Sequence, residues 1–147
     1  MTETGRVDSP GRSLRILVTG ATGYIGGRLA PRLVAAGHRV RVLARNPDKL
    51  RDVPWAGDVE VLRGDLGDPE SLERAFQDID VVYYLVHSMG GRGEFLDAER
   101  RAAEHVASAA RSADVGRIVY LGGLHPKSAE LSTHLRSRAQ VGRILLE

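Results

Sequence analysis

The sequence contains no cysteine, which rules out a disulfide framework, a thiol nucleophile and a cysteine-based metal site, and fits a reducing compartment. Aromatic residues make up only 5%, too few for the stacking platforms that hold single-stranded nucleic acid. Charge of one sign is also missing. Twenty-one Lys plus Arg against 19 Asp plus Glu leave a formal net charge of +2, and the arginines are scattered rather than gathered, so there is no nucleic-acid footprint. The first thirteen residues, MTETGRVDSPGRS, lack the apolar centre of a signal peptide. The expected setting is therefore cytoplasmic, with residues 1–13 a flexible tail and no membrane partner. What is present, 42% hydrophobic and 27% charged over 147 residues, suits one globular domain, expected over residues 14–147.

Apolar runs of strand length alternate with longer stretches of helical spacing. Leu14 to Val18, Val40 to Ala44, Val59 to Leu62, Val81 to Val86 and Ile118 to Leu121 read as strands. Between them, helices are expected from Tyr24 to Ala36, after the Asp68-Pro69-Glu70 cap, and from Glu94 to Ala113; a last helix is expected over Leu131 to Leu146. Ile25, Leu29, Leu33 and Val34 would form the buried face of the first helix, and Gly37 its stop. Pro31 inside it demands a kink or a local bend. Phe95, Ala102, Val106, Ala109 and Ala113 would line the long helix, and Leu72, Ala75 and Phe76 the short one. The alternation predicts an α/β fold: a doubly wound, parallel Rossmann sheet in the order 3-2-1-4-5. Its ligand crevice lies at the carboxyl ends of strands one and four.

The loop at that crevice reads Val18-Thr19-Gly20-Ala21-Thr22-Gly23-Tyr24-Ile25-Gly26. A phosphate reaches the free N–H groups of a helix start only if no side chain intervenes, which is what Gly20, Gly23 and Gly26 provide. The candidate pyrophosphate cradle is therefore these three glycines with Thr22, Tyr24 and Ile25. The spacing is wider than G-x-G-x-x-G, and a turn with no ligand is the plain alternative. At the end of the second strand, where an acid would bond a ribose hydroxyl, the chain carries Arg45. A guanidinium suits a 2′-phosphate, so NADP(H) is expected over NAD(H); the alternative is a solvated surface arginine.

These residues resemble the short-chain dehydrogenase/reductase superfamily, in its extended and atypical branches. "TGATGYIG" is similar to the superfamily's T-G-x-x-G-x-x-G loop, and "RGDLGDPESL" to the segment whose Asp and following residue line the adenine, here Asp65 and Leu66. "VYYLVHSMGG", "RIVYLGGL" and "LSTHLRSRAQVGRILLE" resemble a bacterial epimerase/dehydratase-like subgroup related to NmrA-like regulators. The resemblance implies Val86 and His87 beside the cofactor's ribose, a sixth strand and substrate lobe beyond this sequence, and pairing of the helices at 94–113 and 131–146 in a homodimer.

The superfamily's Tyr-x-x-x-Lys is replaced here by His134-Leu135-Arg136-Ser137-Arg138, and Gly122-Gly123 stands where its serine falls. His134 could donate the proton that hydride transfer to a carbonyl requires, with Arg138 one turn on lowering its pKa. The competing reading keeps both as helix-surface residues. A histidine-only metal site from His87, His125 and His134 lacks any supporting spacing, so no metal is expected. The leading expectation is an NADP(H)-binding oxidoreductase acting on an unknown small molecule. The rivals are a non-catalytic NADP(H)-sensing module and a cofactor-binding fragment.

Overall fold

The structure, a computed structural model, describes residues 13–85, 92–120 and 144–145. The expected tail lies outside the described residues apart from residue 13. So do residues 131–143 of the last expected helix; Ile144 and Leu145 are helical and pack against the core. The elements are β1 (Arg15–Thr19), α1 (Tyr24–Ala35), β2 (Arg39–Ala44), 3-10 turns at Pro47–Leu50 and Ala56–Asp58, β3 (Glu60–Arg63), α2 (Pro69–Phe76), β4 (Val81–Tyr84), α3 (Arg92–Ser112) and β5 (Arg117–Tyr120).

The five strands are parallel in the order β3-β2-β1-β4-β5, as the alternating pattern predicts. Because the sheet is covered on both faces, its central strand β1 is buried on both sides after Arg15. Ile16 and Val18 of β1 face one core with Val40, Val42, Ala44, Ala30 and Leu33; Leu17 faces the other with Leu72, Phe76, Val82, Tyr84 and Val106. The first core lies under α1, the second under α2 and α3.

Several local signals act as their chemistry dictates. The Asp68 carboxylate accepts the Glu70 N–H at 3.1 Å, with Pro69 at the first helical position, and Leu72, Ala75 and Phe76 are the buried face of α2. Asn46 caps the Pro47–Leu50 turn through the Asp48 N–H at 3.2 Å. Helix α1 ends in a Schellman motif: Gly37 has φ +93°, and the N–H groups of Gly37 and His38 donate to Val34 O and Leu33 O. Asp114, at φ +60°, plays the same part after α3, where its N–H and that of Val115 donate to Arg111 O and Ala110 O.

Expectations for the helix faces and strand ends are corrected. The buried face of α1 is Gly26, Ala30 and Leu33, and Ile25 is 47% exposed. The helix lies so close to the sheet that its contact line runs through its small residues, turning Ile25 outward. The helix continues through Pro31, as absorption of the proline within the helix requires, and the missing N–H frees only the Gly27 carbonyl. The buried stripe of α3 is Glu99, Ala103, Val106 and Ala110, with Ala102, Ala109 and Ala113 on its flank. Phe95 lies outside the described side chains. Strand β3 begins at Glu60, since Val59 still closes the preceding 3-10 turn, and β4 ends at Tyr84.

Arg41, in the middle of β2, ties the second layer down. Its Nε donates to Glu60 at 2.8 Å, and its Nη1 donates to the carbonyls of Ala75 and Gln77 at 2.8 and 2.9 Å, closing the end of α2. Tyr84 is the opposite case. It is 1% exposed and its hydroxyl has no hydrogen-bond partner among the described residues. Burial, then the nearby Glu99 and Tyr120, push its phenol above the ordinary range.

Arg41→Ala is expected to destabilise the fold by about 1.5–3 kcal/mol, because its carbonyl partners are left without their charged donor. Arg51→Ala, which removes only the exposed pair with Asp48, should cost less than about 1 kcal/mol. Urea unfolding midpoints at constant slope check both. For Tyr84→Phe the stability should be unchanged or higher at neutral pH, since an unsatisfied hydroxyl leaves the core. The folded-state pKa of Tyr84 lies above its unfolded value. Wild-type stability should therefore fall as pH rises past about 10, and that part of the fall should vanish in the variant. Unfolding curves between about pH 9 and pH 11 measure it.

Candidate cofactor-binding site

The site grows from the turn between β1 and α1. Thr19, 1% exposed at the end of β1, donates from Oγ1 to Tyr83 O and accepts the Leu85 N–H, both at 3.2 Å. This clamps the carboxyl ends of β1 and β4, the strands between which the chain order reverses. Gly20 then takes φ +82°, and a Cβ there would sit 3.1 Å from the Leu85 carbonyl. Gly23 donates to Gly20 O at 3.0 Å and serves as the extended N-cap of α1, with no side-chain cap.

The first bond of the helix is Gly27 N–H to Gly23 O at 2.9 Å. The N–H groups of Tyr24, Ile25 and Gly26 precede it and are left for an outside acceptor. No acid stands in the first turn, so the positive end of the helix dipole is uncompensated by protein. Gly26 is where the geometry tolerates nothing larger. A Cβ there would run into the Gly20 carbonyl oxygen and come within 2.8 Å of Ala21 Cα. Thr22, Tyr24 and Ile25 surround this turn and are exposed, Tyr24 by 72%. Arg28 lies over the Tyr24 ring, 3.6 Å from its centroid, and donates to Tyr24 O at 3.3 Å. Nothing in the spacing of the glycines signalled this arginine.

The other expected contributors fall on the same edge. Arg45 follows β2 directly and is exposed. Asp65 and Leu66 follow β3, with different fates. Asp65 is exposed and turns one carboxylate oxygen onto the Gly67 N–H at 2.9 Å. The Leu66 side chain is buried in the core under α2 and α3, so it offers a ligand its backbone. Two residues that sequence reasoning missed hold this loop. Ser71 Oγ accepts the Asp65 N–H at 3.0 Å and donates to Asp68 O at 2.9 Å. His105 of α3, through Nδ1, donates to Leu66 O at 2.7 Å, which fixes its tautomer. A hydroxyl six residues past the loop is a readable signal; a histidine 39 residues away is not.

Val86, His87, His134 and Arg138 lie outside the described residues, as does His125. Among the described residues no three His, Asp or Glu side chains are grouped to hold a metal ion, and no helix is long and apolar enough to cross a membrane.

Comparison with known proteins matches this geometry to a defined group. The chain is 42% identical over 106 residues to a (4-alkanoyl-5-oxo-2,5-dihydrofuran-3-yl)methyl phosphate reductase of Streptomyces griseus, covering 72% of the chain and 33% of the relative. It is 33% identical over 125 residues to a 2-alkyl-3-oxoalkanoate reductase of Stenotrophomonas maltophilia, covering 82% of the chain and 36% of the relative. The chain thus spans about a third of the length of these curated relatives. Among solved structures, Citrobacter sp. triphenylmethane reductase complexed with NADP(H) aligns with a TM-score of 0.74 at 26% identity, over 90% of this chain and 45% of that one. The fold is shared with Bordetella bronchiseptica WbmG, solved with NAD, at a TM-score of 0.76 and 22% identity, over 92% of this chain and 50% of that one. A family model described as NAD(P)H-binding matches residues 20–146, and the chain belongs to that family.

Proposed function

We propose that this chain binds NADP(H) across the carboxyl edge of its sheet and is the cofactor-binding part of a cytoplasmic oxidoreductase. The observation that carries the reading is the uncapped start of α1. Three N–H groups and the positive end of a helix dipole are left open at a turn whose backbone packing admits no side chain at Gly20 or Gly26. The residues fit a dinucleotide. The turn with Thr22, Gly23, Tyr24 and Ile25 would hold the pyrophosphate, Arg45 the 2′-phosphate, Asp65 and the Leu66 backbone the adenine, and Val86 and His87 the nicotinamide-side ribose. A bound nicotinamide supplies hydride transfer. His134 is the proposed proton donor, with Arg138 drawing an anionic substrate. The reductase names of the relatives and the NADP(H) complex of the triphenylmethane reductase support the enzyme reading. NAD(H) is the second candidate cofactor.

A second reading, an NADP(H)-responsive module without turnover, is favoured by the replacement of the superfamily's Tyr and Lys by His134 and Arg138. Turnover of NADPH with an aldehyde or quinone would decide against it.

Calorimetric titration is expected to show NADPH binding that Arg45→Ala weakens about tenfold, a change of about 1.4 kcal/mol, while NADH binding is unchanged. Gly26→Ala should abolish binding of both cofactors, with circular dichroism verifying that the sheet persists. A folded wild-type protein that binds neither cofactor would overturn the proposal.

A further inference from the structure

Two arginines end neighbouring strands at the cofactor edge, and only one of them has been given a role. In the parallel register of β2 and β3, Arg63 stands beside Ala44, and the Gly64 N–H donates to Ala44 O at 3.0 Å. Arg63 is therefore one ladder step from the residue before Arg45. Strand alternation sets its direction. Leu62 packs with Leu43 into the core under α2 and α3, while Val61 and Ala44 belong to the core under α1. Arg63 projects to the α1 side with them, the side on which the turn following Arg45 packs through Leu50.

Both guanidiniums are exposed, and among the described residues neither makes a hydrogen bond or an ion pair. Three other arginines are paired with acids: Arg41 with Glu60, Arg51 with Asp48 and Arg100 with Asp97. The acids nearest in sequence are committed elsewhere. Asp48 pairs with Arg51 at 3.1 Å, and Asp65 turns an oxygen onto the Gly67 N–H. A phosphate monoester carrying close to two negative charges is drawn to two cations presented at neighbouring strand ends. A dinucleotide without that phosphate presents only hydroxyls there.

We infer that Arg63 is a second cation for the 2′-phosphate of NADP(H), acting with Arg45, and that the pair sets the preference for NADPH over NADH. This rests on the cofactor reading above. The ligand class is a ribose 2′-phosphate at the adenosine end, and Arg63 determines specificity without touching the reacting atoms.

The test is calorimetric titration of wild type, Arg45→Ala, Arg63→Met and the double variant with NADPH, NADH and adenosine 2′,5′-bisphosphate. The methionine keeps the stem of Arg63 and removes its charge, and unchanged NADH binding reports an intact fold. Arg63→Met is expected to weaken NADPH and the bisphosphate about tenfold and leave NADH within about twofold. The double variant should bind NADPH no better than NADH. If Arg45→Ala weakens NADPH and Arg63→Met does not, the role of Arg63 is overturned while the cofactor reading stands. Equal weakening of NADPH and NADH by Arg63→Met also overturns it, because the charge then acts without regard to the 2′-phosphate. A wild type that binds NADPH no tighter than NADH defeats the NADP(H) reading itself, and the inference with it.

Discussion

The approach of α1 to the end of β1 is the contact on which the site depends. A helix entering directly from a strand must pass its first turn across the strand's last carbonyls, and here Gly26 passes the Gly20 oxygen with no room for a methyl group. That closeness brings the helix start into the crevice opened where β1 and β4 part. It also explains the packing of the whole helix. With its contact line drawn through Gly26 and Ala30, the larger Leu29 and Val34 are left at the flanks, and Ile25 and Tyr24 face outward beside the free N–H groups. The Thr19 side chain holds the other wall of the crevice by bonding Tyr83 of β4 and Leu85 just beyond it.

Arginine is put to three physical uses in this small domain. Arg41 is largely buried and spends its donors on carbonyls at the end of α2, so its charge is consumed by structure. Arg28 lies flat on Tyr24. Arg45 and Arg63 close adjacent strands at the one edge where the backbone also presents positive charge, and they are left with their donors free among the described residues. The division follows position in the sheet: a mid-strand arginine can reach a helix end, whereas a strand-end arginine reaches solvent or a ligand.

Most of the fold is legible along the chain because it is written in short-range pattern. Five apolar runs separated by helical spacing allow few parallel topologies, and right-handed crossovers reduce these to the order observed. Caps such as Asp68 and Asn46 act within two residues of themselves and are read directly. The faces of α1 and α3 are less legible, because apolar periodicity gives a stripe about 100° wide without saying which residue is its centre. The sheet chooses that centre: small residues where the helix comes close, and in α3 a line through Glu99, Ala103, Val106 and Ala110.

The sequence by itself determined the Rossmann order, the glycine turn that opens α1 without a side-chain cap, and Arg45 as the charge that follows strand two. Each of these depends on residues within a few positions of one another, so local sterics and charge suffice. Tertiary structure alone decided what holds those parts in place. Thr19 reaches β4 across 64 residues, His105 holds the Leu66 carbonyl from α3, Arg41 reaches the end of α2, and Arg63 comes to rest beside the end of β2. Those partners are set by strand register and helix docking, which are products of the whole core and leave no mark in the spacing of the residues they bring together.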